Sequence, residues 1–548
     1  MDGGGWSVPS AGICSTGLLA MHKLAAKVVL MDGWRRAALA VFAGAFTALG
    51  LAPVDFFAAG FVGFPLLVWM LDGAAGSPVA GALRRLGPAF RIGWCFGFGY
   101  FVAGLWWLGA AMLNGGDSFL WAIPLAVLVL PAILSIYFGL AAALARAFWV
   151  EGPLRLLALA VSFSLFEVLR GMLFTGFPWN EIGVLAAPAP LLMQSVSVVG
   201  LHAMTLAAVF VFAVPALCVA PRGRGPAFAL AALLCIAHVG FGAWRLADTA
   251  VEPESGLALR ILQPNIPQTE KWDAAEADRN FDRLMQLTET RPEAPLAPKT
   301  LIVWPESSVP FLLTERPDAI GRLAAALAPG EILVAGAARA ERRDDAEPRY
   351  YNSVYVIDDE GIIVDARDKT HLVPFGEYLP FQAFLESLGL RQLAELPGGF
   401  SAGAERSPVR LPGLPAFLAL ICYEIIFQDE IDRSPADRPG FIVNVTNDAW
   451  YGRTPGPYQH LRQAEMTAVA LGLPLVRSAN TGISVVTDAY GRVVDGLALG
   501  SAGTIEVLLP GKISSTLFSR WGNGAFWLAI AMGSLLLCWQ AVNNARRD

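Results

Sequence analysis

The sequence predicts a polytopic α-helical membrane domain of about eight spans, joined to one sizeable α/β domain. Composition is the first indication, because the 548 residues are 55% hydrophobic and only 16% charged, whereas soluble proteins carry about a quarter charged residues. Charge is also unevenly distributed, being sparse in residues 34–247 and 520–541 and ordinary in residues 248–519. Within 248–519, short β-branched runs alternate with amphipathic helical stretches, which is typical of α/β layered folds.

Four regions follow from this composition. Residues 1–33 lack the features of a cleavable signal peptide, because Lys23 and Lys27 interrupt their apolar stretch. The net charge is −6 and no Lys/Arg-rich run occurs, which argues against nucleic-acid binding. The regions are an N-terminal tail (1–33), a transmembrane domain of about seven helices (34–247), a soluble domain (248–519), and a C-terminal transmembrane helix with its tail (520–548).

The transmembrane prediction rests on segments of about 20 mostly apolar residues, the length that a spanning helix needs. Seven such segments precede the soluble domain and one follows it. The first two are short and could form one re-entrant pair, so the count holds to about one. The segments are 36–52, 55–72, 90–113, 119–147, 155–172, 190–219, 227–246 and 522–541.

Orientation is predicted from the Lys and Arg residues that flank the spans, since these accumulate on the cytoplasmic side. With eight spans, five Lys/Arg clusters fall on one side, whereas the loops around Asn114–Asp117 and Thr175–Pro190 contain neither residue. Both termini are therefore expected in the cytoplasm, and the soluble domain on the outer face of the cytoplasmic membrane. The clusters lie at residues 23–36, 84–91, 146–155, 222–224 and 546–547.

Secondary structure in the soluble domain is predicted from β-branched runs and from helical periodicity. Helices are expected at 273–289, 317–328 and 457–471. Nine strands are expected, at Leu257–Leu262, Leu301–Trp304, Ile332–Ala337, Ser353–Ile357, Ile362–Ala366, Phe417–Cys422, Phe441–Val445, Leu475–Ser478 and Ile483–Thr487.

Cys422 is the candidate nucleophile, because it is the only one of six cysteines within residues 248–519. The others lie in the N-terminal tail or in apolar spans, where cysteine is usually inert packing. A thiol without a disulfide partner in an outer compartment indicates either a reactive group or a chance cysteine. Cys422 also ends an apolar strand, and strand ends are where α/β folds present functional side chains.

Three charged residues provide the groups that a thiol nucleophile needs. Glu306 and Lys369 each follow a predicted strand, and Glu377 stands shortly after Lys369. Together they offer a base, a cation for a developing oxyanion, and a carboxylate that orients one of them. A cysteine–histidine pair is an open alternative, with His371 or His460 as the base.

Five ordered motifs in the soluble domain resemble the nitrilase, or carbon–nitrogen hydrolase, superfamily. They are Gln263–Gln268, Trp304–Ser307, Asp368–Glu377, Ile421–Glu424 and Asn447–Gly452. The resemblance implies an αββα sandwich with a Glu-Lys-Cys triad. The membrane spans and the motif Gly176–Trp179 narrow the similarity to the bacterial apolipoprotein N-acyltransferase family, from about residue 34 onward. Pro264 stands where relatives often have glycine, a departure that changes no assigned role.

This resemblance implies a role for each residue of the triad. Glu306 is expected to act as the general base, Lys369 to stabilise the tetrahedral oxyanion, and Cys422 to be the nucleophile. Glu377 is expected to support Lys369 and the attacking group. Two further residues, Tyr423 and Glu424, resemble those that line the site behind the cysteine.

The resemblance also implies a lipid-binding role for aromatic residues on loops. Trp272 and Trp450 resemble aromatics that contact lipid, and Tyr451 is assigned with them. Two Gly/Pro-rich segments, 379–412 and 450–458, are expected to be mobile and to gate the site. They carry aromatics that are expected to be exposed near the membrane surface: Phe381, Phe400, Trp450 and Tyr451.

The implied substrates are two lipids. Members of the family take an acyl chain from a phospholipid, typically phosphatidylethanolamine, and transfer it to the α-amine of a diacylglyceryl-cysteine at the N-terminus of a lipoprotein. The implied route is a ping-pong reaction through a thioester, on the periplasmic side of the inner membrane. Neither a metal nor an organic cofactor is implied.

Two other functions fit parts of the sequence. A membrane-anchored amidase would use water as acceptor, but an anchor needs one span and seven precede the soluble domain. A transporter or receptor with an inactive domain is opposed by the intact Glu306, Lys369 and Cys422. It is also opposed by the scarcity of charge within the spans, where Glu167 and Arg170 lie one turn apart as a packing or interface pair.

Overall fold

The structure is a computed structural model. It describes residues 11–74, 76, 81–114, 117–220, 224–247, 252–273, 275–343, 346–380, 399–431 and 438–546.

The region before residue 248 is helical almost throughout its described part, as expected for apolar segments that must pair their own backbone groups. Short 3₁₀ turns and one π-helical stretch, Leu125–Val129, connect or extend the α-helices. The α-helices are α1 (Ala11–Val29), α2 (Gly33–Thr47), α3 (Gly60–Asp72), α4 (Ala82–Leu105), α5 (Leu108–Asn114), α6 (Leu130–Ala147), α7 (Leu154–Met172), α8 (Pro190–Met193), α9 (Val196–Ala213) and α10 (Arg224–Leu246).

Helix α4 is central in this domain and packs against both α2 and α6. Glycine permits the close approach, because a Cβ atom at Gly99 would collide with the Val41 carbonyl of α2. Gly93 likewise abuts the Phe138 carbonyl of α6. Small residues at helix crossings are the usual device for packing helices within a membrane, where apolar burial alone gives little attraction.

The count of eight spans is not confirmed. Among the described residues, five helical segments are long and apolar enough to cross a membrane: Leu120–Ala147, Leu154–Thr175, Val196–Val219, Arg224–Leu246 and Gly524–Asn544. The remaining three predicted spans are also helical, but α2 and α3 have only 15 and 13 residues. The predicted span 90–113 is divided between α4 and the short α5.

The N-terminal tail contributes a helix of its own. Helix α1 packs against α3, and its Ala25 and Val28 are buried. Lys23 and Lys27 interrupt the apolar stretch that the sequence shows here, but both residues are compatible with a helix because lysine is a good helix former.

In its described residues, the α/β domain contains two sheets, of six and five strands. The first has the order β11-β1-β2-β3-β4-β5 and the second β10-β9-β8-β7-β6. Parallel pairing joins β1 to β2 and β2 to β3, and likewise β6 to β7 and β7 to β8. The strands are β1 (Pro253–Gln263), β2 (Lys299–Val303), β3 (Glu331–Arg343), β4 (Ala346–Ile357), β5 (Ile363–Asp368), β6 (Phe417–Ile421), β7 (Phe441–Thr446), β8 (Leu475–Ala479), β9 (Ser484–Thr487), β10 (Val493–Leu497) and β11 (Gly503–Pro510).

Helices pack against both sheets, in agreement with the predicted αββα layering. Aliphatic side chains of both sheets, including Leu259, Val303, Leu420 and Val443, share one core. The α-helices among the described residues of this half are α11 (Gln268–Lys271), α12 (Ala277–Glu289), α13 (Pro317–Ala326), α14 (Gly456–Leu471), α15 (Leu517–Trp521) and α16 (Gly524–Ala545).

Helix α14 is the layer that meets the membrane domain. Its Met466, Val469 and Ala470 form a buried cluster with α9 and with Phe518 of α15. The helix also contacts β8 and the turn that follows β6. The second sheet and the membrane domain therefore share α14.

All nine predicted strands are present, and two strands were missed. Strand β10 is a mostly exposed edge strand, Val-Val-Asp-Gly-Leu, without an apolar alternation. Strand β11 pairs with β1 and completes the first sheet. The predicted helix 273–289 begins later than expected, at Ala277, and is preceded by the single turn α11.

Candidate active site

Cys422 stands at a sharp turn between β6 and one turn of 3₁₀ helix, Cys422–Ile426. Its φ angle is 54°, which is uncommon for a residue with a Cβ atom. Such strained backbone persists when its surroundings fix it, and it often occurs at functional positions. The residue is 8% exposed, so the turn presents the thiol at the margin of the buried core.

Glu306 lies on a second tight turn, three residues after β2. The next residue, Ser307, has a φ of 47°. Strand β3 approaches this turn closely, because Gly336 has no side chain and its carbonyl accepts a 2.6 Å hydrogen bond from the Ser308 N–H. The Glu306 carboxylate is 7% exposed and accepts a 2.8 Å hydrogen bond from the backbone N–H of Asn447, which follows β7.

Lys369 and two carboxylates form one buried network. The Lys369 ammonium is 3.0 Å from Glu377 Oε1, to which it donates, and 3.6 Å from Glu306 Oε1. Asn352 on β4 connects the carboxylates, since its Nδ2 group donates 2.8 Å hydrogen bonds to Glu306 Oε1 and to Glu377 Oε1. Glu377 Oε2 also accepts from the Val373 N–H at 2.8 Å. Each group is thus held by several partners.

The electrostatics of the network favour an ammonium and a protonated thiol at rest. Burial disfavours the charged form of Lys369, but the Glu377 and Glu306 carboxylates outweigh it and hold the pKa of Lys369 well above its usual range. Burial raises the pKa of the Cys422 thiol, and the Glu306 charge raises it further, with Lys369 acting in the opposite direction. The thiol therefore requires a base when it reacts.

Glu424 connects the Cys422 turn to the segment after Lys369. Its Oε2 accepts from the Ile421 N–H at 2.8 Å, and its Oε1 accepts from the Thr370 N–H at 2.8 Å and from Arg406 at 2.9 Å. Burial would raise the pKa of Glu424, but Arg406 and these N–H donors lower it. Glu424 is thus a buried, ionised carboxylate that joins these two segments behind Cys422.

The membrane domain forms one wall beside Cys422. The Tyr423 hydroxyl donates to the Gly176 carbonyl at 3.2 Å, and its ring stacks on Trp179 with centroids 6.2 Å apart. Arg170 is buried at the end of α7, where it pairs with Glu167 and donates a 3.0 Å hydrogen bond to the Trp179 carbonyl. This pair holds the wall in place, in agreement with its predicted interface role.

The prediction that Phe400, Trp450 and Tyr451 are exposed is wrong. Phe400 is only 8% exposed, and its N–H donates a 2.8 Å hydrogen bond to the Glu377 carbonyl. Tyr451 is half-buried and packs edge-on against Trp107, with ring centroids 4.7 Å apart. These aromatics therefore contact protein where the sequence suggested solvent or lipid.

The other loop aromatics have different surroundings. Trp272 is 40% exposed directly after α11, and Trp450 is half-buried. Phe381 and most of the predicted mobile segment 379–412, namely residues 381–398, lie outside the described residues. Lipid contact by Trp272, Trp450 and Tyr451 stays a prediction, as does gating by the two segments.

The two histidines of the alternative cysteine–histidine pair form other hydrogen bonds. His371 Nδ1 lies 2.8 Å from Glu430 Oε1. His460 Nε2 lies 3.1 Å from the main-chain oxygen of Cys422, and its Nδ1 lies 2.8 Å from Asp448. Both ring nitrogens of His460 therefore have partners, whereas the buried Nε2 of His371 has none among the described residues.

Three residues of this site were missed by sequence reasoning. Asn352 lies within a strand, where only its polarity between apolar neighbours could have indicated it. Asn447 acts through its backbone, although it begins one of the quoted motifs. Lys271 is 3% exposed and donates a 2.9 Å hydrogen bond to the main-chain oxygen of Glu306. Its place beside Trp272 was the only available signal.

Lys271 gives the site a cation that titrates near neutrality. Burial lowers its pKa to about 7, although the charges of Glu306 and Cys422 act in the opposite direction. Below about pH 7 the ammonium favours the Cys422 thiolate, and this support is lost as the pH rises through that value. The reactivity of Cys422 should therefore respond to the charge state of Lys271.

We expect Lys271→Met to slow alkylation of Cys422 by iodoacetamide below about pH 6, by about three- to ten-fold, and to have little effect above about pH 8. The measurement is the rate of mass gain of the peptide containing Cys422. Lys271→Arg is the control, because it keeps its charge and should remain fast above pH 8. Superimposable profiles for Lys271→Met and the unmodified protein would contradict the prediction.

Comparison with known proteins agrees with both halves of the structure. Residues 43–214 match the family described as apolipoprotein N-acyltransferase N-terminal domain, and residues 258–516 match the carbon-nitrogen hydrolase family. The apolipoprotein N-acyltransferase of Brucella suis biovar 1 is 51% identical over 518 residues, covering 94% of this chain and 96% of that protein. Those of Rhizobium rhizogenes and Agrobacterium fabrum are 51% and 47% identical and cover 94% and 96% of this chain, and 98% and 100% of their own lengths. Since relatives of this identity match nearly from end to end, the chain belongs to the apolipoprotein N-acyltransferase family.

Proposed function

We propose that this protein transfers an acyl chain from a phospholipid to the N-terminal amine of a diacylglyceryl-cysteine on a lipoprotein, through a thioester on Cys422. The observation that carries the proposal is the buried network of Glu306, Lys369 and Glu377 in the same domain as Cys422. Cys422 itself lies on a turn that contacts the membrane domain. Similarity to the named relatives supports the substrates. Phosphatidylethanolamine is the proposed donor, from the family resemblance.

In the first half-reaction, Glu306 takes the proton of the Cys422 thiol as the sulfur attacks the ester carbonyl of the phospholipid. Lys369 stabilises the negative charge that develops on the carbonyl oxygen. The ester C–O bond then breaks, and the lysophospholipid leaves as an alcohol with the proton from Glu306. The acyl chain remains on sulfur as a thioester.

In the second half-reaction, the free amine of the lipoprotein attacks the thioester carbonyl. Glu306 now takes the amine proton, and Lys369 again faces the oxyanion. The C–S bond breaks, Cys422 recovers its proton, and the new amide leaves with the product. Water must be kept from the thioester. The packed rings of Tyr423, Trp179 and Tyr451 beside Cys422 help to exclude that water.

We also propose the orientation that the flanking charges favour, with the α/β domain on the periplasmic side of the inner membrane and both termini in the cytoplasm. Both substrates carry their reactive groups at the level of lipid headgroups. A domain that is connected to α10 at one end and to α16 at the other is held at that level.

Protease treatment of spheroplasts tests this orientation. We expect a protease site inserted after Thr290, at the exposed end of α12, to be cut in intact spheroplasts. Epitope tags at both termini should be protected until the membrane is permeabilised. Protection of the inserted site together with cleavage of both tags would reverse the assignment.

A transfer assay tests the function itself. The purified protein, phosphatidylethanolamine and a synthetic peptide with an N-terminal diacylglyceryl-cysteine should yield a peptide heavier by one acyl group. The same peptide with an acetylated amine should not change, because it has no nucleophile. Release of free fatty acid at the same rate with either peptide would instead indicate a hydrolase.

A further inference from the structure

Gln459 and His460 are consecutive residues in the first turn of α14, and they contact two different parts of the molecule. The side chain of Gln459 faces the membrane domain and is 4% exposed. Its Oε1 atom accepts three hydrogen bonds, from Trp107 Nε1 at 3.1 Å, Trp179 Nε1 at 3.0 Å and Asn180 Nδ2 at 2.9 Å. One atom of α14 thus receives three donors of the membrane domain.

These donors are buried and come from two separate segments. Trp107 lies between α4 and α5, whereas Trp179 and Asn180 belong to the loop after α7, and all three residues are at most 2% exposed. Trp107 Nε1 and Asn180 Nδ2 also donate to the Gly104 carbonyl, at 2.9 Å and 3.3 Å. Loss of the common acceptor would leave the buried Trp179 N–H without its partner, which costs more than an ordinary hydrogen bond contributes. The contact therefore fixes the first turn of α14 against the membrane domain.

His460 connects the same turn to the backbone of Cys422. The main-chain oxygen of Cys422 can only accept, so His460 Nε2, at 3.1 Å, carries a proton. Nδ1 of the ring lies 2.8 Å from Asp448 Oδ1 and 3.1 Å from Arg477 Nη2, and the ring is fully buried. Asn444 Nδ2 also approaches the Cys422 oxygen, at 3.4 Å. These bonds stabilise the peptide that the positive φ of Cys422 would otherwise strain.

We propose that Gln459 and His460 are positioning residues, which transmit the docking of the membrane domain to the nucleophile turn at Cys422. A shift of Trp107 and Trp179 moves Gln459, to which both donate. Because His460 is the next residue of the helix, it moves with Gln459 and shifts the Cys422 carbonyl that it contacts. Trp179 reinforces the connection, since its ring packs on His460 with centroids 5.3 Å apart. The inference rests on the proposed role of Cys422 as the nucleophile.

The test is a double-mutant cycle on the full-length protein in lipid nanodiscs. The readout is the rate of iodoacetamide alkylation of Cys422, followed by peptide mass, which requires neither substrate. We expect Gln459→Met to slow alkylation by about three- to ten-fold, the size of one or two lost hydrogen bonds. Trp179→Phe, which removes one donor and keeps an aromatic ring, should slow it less and add little in the Gln459→Met background. With phospholipid, kcat for acylation should fall while KM stays unchanged.

Gln463→Met is the matched control. Gln463 lies one turn later on α14, is equally buried at 4%, and donates to the Gln459 carbonyl at 3.2 Å. Cys422 of the Gln463→Met protein should be alkylated at the wild-type rate. Equal slowing by Gln463→Met, full additivity of the Gln459 and Trp179 effects, or an unchanged rate in Gln459→Met would each overturn the proposal. If Gln459→Met does not fold, Trp107→Phe and Trp179→Phe must each slow alkylation. Failure of the unmodified protein to transfer an acyl chain would count against the proposed function alone.

Discussion

Incubation of the purified protein with phospholipid alone should add one acyl chain to Cys422 and release one equivalent of lysophospholipid. The result follows from covalent catalysis, because the thioester must form before the amine acceptor is used. The adduct should persist for as long as water is excluded from the site. Intact-mass measurement shows it as a single increment of one acyl group, and a peptide with a free diacylglyceryl-cysteine amine should discharge it.

Cys422→Ser is the control for this experiment. A hydroxyl is a far poorer nucleophile than a thiol with the same base, so the serine variant should gain no acyl group. Its size is similar, and the turn at residue 422 should be preserved. Transfer that proceeds in the presence of acceptor without any adduct in its absence would indicate direct displacement in a ternary complex, and Cys422 would lose its assigned role.

Lys369→Met should reduce acyl-enzyme formation by at least about 10²- to 10³-fold, the usual cost of losing a preorganised oxyanion donor. The substitution also leaves Glu306 and Glu377 bridged by Asn352 without their shared cation, which raises the pKa of the Cys422 thiol further. Glu306→Gln should be comparably inactive, because an amide cannot take the thiol proton. The measurement is the rate of adduct formation with donor in excess.

Lys512→Met provides the comparison, since this lysine of the same domain is exposed. It should form the adduct at the unmodified rate. Thermal unfolding of each variant shows whether the fold is retained, and a folded Lys369→Met protein with near-normal adduct formation would exclude Lys369 as the oxyanion donor.

Much of the α/β domain could be predicted from local sequence. Strands such as Phe417–Ile421 are continuous apolar runs that are buried on both faces, and this pattern needs no knowledge of the rest of the fold. Strand β10 could not be found in this way, because four of its five residues are exposed and its pairing with β9 alone defines it. Pairing between residues on different strands leaves no signal in the local sequence.

The residues of the site likewise differ in whether the local sequence indicates them. Glu306, Lys369 and Cys422 follow strands and carry chemistry that their residue types suggest. Asn352 carries no such chemistry by itself, and its importance arises only because β3, β4 and β5 bring it between two carboxylates. The surroundings of Tyr451 depend on Trp107, more than 300 residues earlier in the chain, so burial there could not follow from the Gly/Pro-rich loop itself.

The count of eight spans is not confirmed, for a different reason. Hydropathy reports length and apolarity, whereas α2 and α3 are short helices that pack into a bundle together with α4. In such a bundle, a helix can be buried by its neighbours without crossing the hydrocarbon layer alone.

The pairing of β1 with β11 has a consequence for how this architecture can be assembled. Pro253 lies opposite Pro510 in the antiparallel ladder, and the Gly511 N–H donates to the Glu252 carbonyl at 3.2 Å. The chain thus enters and leaves the soluble domain at neighbouring points, about one strand spacing apart. Domains with adjacent ends are the ones most readily inserted into, or exchanged between, host proteins. A helical membrane protein could therefore acquire such a module within a single extramembrane loop, and a circular permutant closed between residues 252 and 511 should retain the two-sheet core.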